Sequence, residues 1–117
     1  MKEEFYNTYK NLGKAAIILQ GYASTIMSDE ELDFFYTGMA IDRTPFFLSK
    51  RGLYIVEPAI LLDDFRHEFV AGNEIIVQAE GERLKILRGK ELLLQMEAKN
   101  AQSAEALRQD LEYFKEG

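Results

Sequence analysis

From Phe5 onward, apolar positions recur at Tyr9, Leu12, Ala16, Leu19, Ala23 and Ile26. This four-and-three spacing predicts an amphipathic helix about three heptads long. Its flanks carry little charge, with Tyr6, Gly13, Gln20 and Met27 on one side and Thr8, Ala15 and Tyr22 on the other. Such a helix is expected to be buried centrally or against a second copy of the chain. Gly13 and Gly21 would each cost about 1 kcal/mol relative to alanine in a helix interior, so close packing or a kink is expected at one of them.

Ser28-Asp29-Glu30-Glu31 reads as a capping box, in which the serine hydroxyl and Glu31 each satisfy an orphan backbone amide. A second helix is expected from there, striped by Leu32, Phe35, Tyr36 and Met39, with its acids where the helix dipole favours them. Residues 42–56 admit two readings. Thr44-Pro45 can cap a short helix ending at Gly52, which is the favoured reading, while Ser49-Lys50-Arg51-Gly52 can turn a hairpin. Leu53-Tyr54-Ile55-Val56 is β-prone in both cases. Pro58 then opens an expected helix with Leu61, Leu62, Phe65 and Phe69 on its apolar face, ended by Ala71-Gly72-Asn73.

After Gly72 the period drops to two, and three antiparallel strands are expected. Gly81-Glu82 fits a type II′ turn, pairing Glu80 with Arg83, Gln78 with Lys85 and Ile76 with Leu87 on one face, and Ala79 with Leu84 and Val77 with Ile86 on the other. The third strand brings Leu92, Leu94 and Met96 to the core if Arg88 pairs with Leu92, which makes the second loop one residue longer than glycine-first turn chemistry favours. A bulge near Glu91 would reconcile the two requirements. A last helix is expected from about Ser103, striped by Ala104, Leu107, Leu111 and Phe114.

The reading is therefore a single α+β domain over residues 1–117: a helical part over about 1–72, a three-stranded antiparallel meander over about 74–98, and a C-terminal helix over about 103–115 packed on the sheet. The chain has no cysteine, which excludes disulfides, cysteine-ligated zinc and cysteine nucleophiles. With 20 acidic against 14 basic residues, the formal net charge of −6 argues against a phosphate-backbone binder. Arg83, Lys85, Arg88 and Lys90 form a basic stretch, but the register sets Glu80 and Glu97 beside Arg83, and no aromatic residue interleaves. No nucleic acid and no membrane are expected as partners. The acids after Met1-Lys2 do not suit a secretory signal, and the uncharged run over 15–28 falls short of the roughly 20 apolar residues a bilayer span needs, so a cytoplasmic location is expected.

Two candidate sites emerge. Ile76, Leu87 and Leu93 fall side by side on the nominally polar face of the meander; either the 44–56 segment or the first helix covers them, or they form an association surface. The association reading makes the chain a small acidic interaction module (a regulator, adaptor or partner chaperone), with a homodimer as the expected assembly and no cofactor. The alternative centres on Asp63, Asp64 and His67, where the i, i+3 and i, i+4 spacing on a helix would let two carboxylates and the sole imidazole share a metal ion or small ligand. A hydrolytic zinc site needs three protein ligands, and a plain solvated helix face accounts for the same spacing. The nucleophile elbow, dinucleotide fingerprint and phosphate loop are missing, which weighs against an enzyme.

Overall fold

The computed structural model describes residues 8–57 and 65–117. A 3-10 turn over Lys10–Leu12 leads into helix α1 (Lys14–Ile26) and the short helix α2 (Asp29–Asp33). The strands follow as β1 (Tyr36–Met39), β2 (Pro45–Leu48), β3 (Gly52–Glu57), β4 (Arg66–Ala71), β5 (Ile75–Glu80), β6 (Arg83–Arg88) and β7 (Glu91–Glu97), and helix α3 (Ala101–Glu116) closes the chain. Strands β1 to β4 form one antiparallel sheet in chain order, and β5 to β7 form a second. The class is α+β, with the leading helix, the meander and the closing helix in place. Residues 1–72 are not a helical layer, however, because they carry the larger sheet.

Three expectations fail there for physical reasons. The capping box forms, but α2 stops at Asp33, and Tyr36 and Met39 belong to a strand instead of a helical stripe. The Phe34-Phe35-Tyr36-Thr37 run is aromatic and β-branched, and the cross-strand pairing of Tyr36 and Thr37 with β2 outweighs the acidic helix start. Residues 45–57 form the β2–β3 hairpin and not a short helix. Phe46 to Ser49 and Gly52 to Tyr54 are buried in succession, so these strands lack the alternation that would have distinguished them from a buried helix. The expected helix from Pro58 to Phe69 also fails where it is described: residues 66–71 pair with β3 from Glu57↔Arg66 to Gly52↔Ala71. Phe65 has no regular secondary structure and packs against the core beneath α1, while residues 58–64, Leu61 and Leu62 among them, lie outside the described residues, as do Phe5 of the first stripe and Tyr6 of its flank.

The larger sheet is buried on both faces. Phe46, Leu48, Leu53 and Val70 meet Ile75, Val77, Leu84, Ile86, Leu94 and Met96 of the smaller sheet and Leu111 of α3 in one core. Phe47, Tyr54 and Val56 point the other way, into a second core with Tyr9, Ala16, Leu19, Ala23 and Met27. Helix α1 thus buries one stripe rather than its whole girth, and Ile17 is 67% exposed on its far side. Gly13 sits at the N-cap of α1 and only Gly21 lies within the helix, so the expected double glycine penalty is a single one.

The first hairpin of the meander has the expected register throughout, from Glu80↔Arg83 to Ile76↔Leu87. The second differs in an informative way. Arg88 pairs with Glu91, not Leu92, across a two-residue Gly89-Lys90 turn, with φ of +60° at Gly89 as a glycine-first turn requires. Register then shifts between Ile86↔Leu94 and Leu87↔Leu92, so Leu93 is the extra residue of a bulge. Turn chemistry and hydrophobic pattern are both satisfied, with the bulge at Leu93 rather than beside Glu91. Helix α3 starts two residues earlier than expected, capped by the Asn100 side chain, which accepts from the Ser103 amide at 2.7 Å.

Candidate functional site: the outer face of the smaller sheet

Strand alternation turns Ile75, Val77, Leu84, Ile86, Leu94 and Met96 inward, so Ile76, Gln78, Arg83, Lys85 and Leu87 lie on the other face. That face is zoned. At one end Ile76, Leu87 and Leu92 stand opposite one another across all three strands. Ile76 is 46% and Leu92 49% exposed, and Leu87 is half-buried. At the other end the charges answer each other: Lys85 pairs with Glu80 at 2.7 Å, and Arg83 lies between Glu80 and Glu97 in register.

The structure changes one member of the expected apolar row. The bulge puts Leu92 opposite Leu87, while Leu93 is half-buried and packs on the central core. The signal for this was in the sequence, since Gly89-Lys90 is a good two-residue turn and enforcing it moves Leu92 into the row. Among the described residues neither expected cover lies over the row: residues 45–57 pack on the inner side of the smaller sheet, and α1 packs on the far face of the larger one.

Beside the row, the Ile41 amide donates to the Gln95 carbonyl of edge strand β7 at 2.9 Å, fastening the β1–β2 connection to the smaller sheet. Ile41 is 45% exposed, and with Asp42 and residues 92–95 it lines a shallow groove of about 360 Å³. The Thr44 hydroxyl and amide hold the Asp42 carboxyl below the usual carboxylate range, so the groove has one fixed negative charge at its rim.

The alternative cluster is not brought together as a helix face. His67 lies on β4, and Asp63 and Asp64 are outside the described residues. The His67 Nδ1 lies 2.6 Å from the Tyr22 hydroxyl of α1, and its ring lies 5.8 Å from that of Tyr54. Burial pushes the Tyr22 phenol up, and the Glu57 charge adds to it. Among the described residues, no group of three or more histidine, aspartate or glutamate side chains gathers to hold a metal ion.

Sequence reasoning missed the fate of Glu31, which caps α2 and is then wholly buried against the β2–β3 turn. Its carboxylate accepts from the Ser28 amide at 3.0 Å, the Ser49 hydroxyl at 2.7 Å and the Tyr54 hydroxyl at 2.6 Å, with the Arg51 guanidinium 3.5 Å away. Burial would push this carboxyl up, but the Tyr54, Ser28 and Ser49 donors together outweigh it and hold Glu31 below its ordinary range. The Tyr54 phenol is pushed far up by burial, with its bond to Glu31 adding to the effect. Every oxygen is partnered and enclosed, so this network ties α2 to the larger sheet and leaves no atom for a substrate.

The fold and this face define a two-sheet α+β protein with a part-exposed apolar row on its smaller sheet. No family model matches this chain, and no curated protein or solved structure matches it. No helix among the described residues is long and apolar enough to cross a membrane.

Proposed function

We propose that this chain is a small cytoplasmic protein-interaction module, acting as a regulator, adaptor or partner chaperone, that self-associates as a homodimer through the outer face of the smaller sheet. One observation carries the reading: Ile76, Leu87 and Leu92 form a continuous cross-strand row on a solvent-facing sheet face. Three large aliphatics in register on an outer face cost free energy in water unless another surface covers them. A second copy related by a two-fold axis through Leu87 would set row against row and leave the charged ends at the rim.

Strands about 4.8 Å apart make the row only roughly 10 Å across, so by itself it cannot supply the roughly 800 Å² that each partner of a standard interface contributes. The row therefore acts as the apolar centre, and Ile41, Gln78, Lys85 and Gln95 supply the rim. Such an interface is modest and concentration-dependent.

The test is solution mass by light-scattering chromatography over a tenfold range of concentration. The wild type should move from monomer towards dimer, and Leu87→Glu and Leu92→Glu should remain monomeric with unchanged circular dichroism. A wild-type monomer at all concentrations, or folded variants of unchanged dimeric mass, would remove this face from the proposal.

A further inference from the structure

A second surface lies on α2, β1 and α3 rather than on the smaller sheet. Phe34, at the C-terminus of α2, stacks on Phe114 at 4.6 Å between centroids and meets Tyr113 edge-on at 5.3 Å. Tyr36 of β1 adds a fourth ring, 5.8 Å from Phe114. Phe34, Tyr113 and Phe114 belong to neither buried core, and Tyr113 is 65% exposed, the second most exposed large apolar side chain among the described residues. Rings stacked this closely leave no gap for a ligand between them, so their outer surface is what is available to a partner. Aromatic side chains are the residue type that interfaces favour as anchors.

The charge around this patch is negative in excess. Asp33 precedes Phe34 in sequence and is exposed. On α3, Asp110 and Glu116 lie one turn either side of Tyr113, both exposed, and the Asp110 charge is close enough to act on the Tyr36 phenol. Glu30 and Lys50, joined as an ion pair, flank Phe34 with Gly117 around a cleft of about 140 Å³. The Glu30 charge answers Lys50 and the Glu112 carboxylate answers Lys115 at 3.3 Å, so Asp33, Asp110 and Glu116 are left in excess.

We infer that the aromatic patch of Phe34, Tyr113 and Phe114 docks a basic segment of another protein, with an apolar residue of that segment on the rings and its arginines or lysines facing Asp33, Asp110 and Glu116. A phosphate-bearing partner is repelled by the same three carboxylates, and a second copy of this chain brings the same charges against them. Complementary charge would speed encounter and set specificity, while the rings supply the buried area.

The test uses the full chain and a fluorescently labelled arginine–leucine peptide, followed by anisotropy at low and high salt. Saturable binding should appear at low salt and weaken as salt rises. Tyr113→Ser should weaken it about tenfold, the scale of losing one aromatic anchor. Asp33→Asn with Asp110→Asn should weaken binding and flatten its salt dependence. The inference is overturned if a leucine-free arginine peptide binds equally well, if Tyr113→Ser binds as the wild type does, or if no saturation is reached. It is also overturned if Tyr113→Ser, like Leu87→Glu, halves the solution mass, because the patch would then be occupied by a second copy. Failure of peptide binding leaves the sheet-face dimer standing, and a monomeric wild type leaves the peptide result standing.

Discussion

Replacing Glu31 by alanine should be among the most damaging single changes in the molecule. The residue's side chain is fully enclosed, and removing it strands the hydroxyls of Ser49 and Tyr54, residues that are 0% and 3% exposed. Each buried donor left without an acceptor costs about 1–3 kcal/mol. Loss of the reciprocal cap on α2 adds about 1 kcal/mol. Glu31→Ala is therefore expected to lose about 3–7 kcal/mol, a large share of the roughly 5–15 kcal/mol by which a domain is stable. Glu31→Gln keeps the shape and an amide oxygen that can still accept from both hydroxyls, so it should lose less.

The charge carries its own signature. The folded Glu31 carboxyl lies below its ordinary value near 4.5, so the unfolded chain binds this proton more readily. Its contribution is present in full above that value and is lost as pH falls through the folded one. Urea unfolding followed by far-ultraviolet circular dichroism, from about pH 7 down to about pH 3, checks both statements. Wild type should lose more stability than Glu31→Gln on acidification. Glu31→Ala costing under about 1 kcal/mol, or identical acid profiles for wild type and Glu31→Gln, would refute the network's role.

Other substitutions test the fold more locally. Gly21 lies exposed in α1, and nothing beyond its own helix backbone comes within 4 Å of where a Cβ would stand, so Gly21→Ala should stabilise by about 1 kcal/mol and raise the melting temperature by a few degrees in calorimetry. Gly52→Ala should do the reverse, because a Cβ there would stand 2.2 Å from the Val70 carbonyl oxygen; a loss of the β3–β4 pairing should appear as faster amide exchange at Val70 and Ala71. Tyr9→Phe removes a buried hydroxyl that donates to the Gly38 carbonyl and accepts from Thr37, both at 2.7 Å, and should cost about 1–3 kcal/mol in urea unfolding. Asn100→Ala should cost about 1 kcal/mol in the same assay through the lost α3 cap.

Legibility in the sequence followed the exposure of each element. The β5–β6 hairpin was readable to the residue because one face is wet and one dry, so Ile75, Val77, Leu84 and Ile86 alternate against Ile76, Gln78 and Lys85, and a one-residue slip would turn charge inward. Helix α3 was readable for the same reason, with Ala104 and Leu111 buried and its other side in water. The larger sheet is covered on both faces, so Phe46-Phe47-Leu48 and Leu53-Tyr54 form unbroken apolar runs that carry no period to distinguish strand from helix. Strand β4 was hidden differently. Arg66, His67 and Glu68 have little intrinsic preference for a strand, and their conformation is set by pairing with β3, a partner that local pattern does not reveal.

The candidate site lies at the boundary between these two regimes. Its Ile76 and Leu87 come from the readable hairpin, and its third member depended on whether the loop before β7 followed the hydrophobic pattern or the turn chemistry. The bulge satisfies both by spending one residue, Leu93, on the core and passing its place in the row to Leu92. A bulge that served packing alone would have no need of a leucine at the exposed position 92. An isoleucine, a half-buried leucine and a leucine side by side on an open face are a specific arrangement, and the variants at 87 and 92 address it directly.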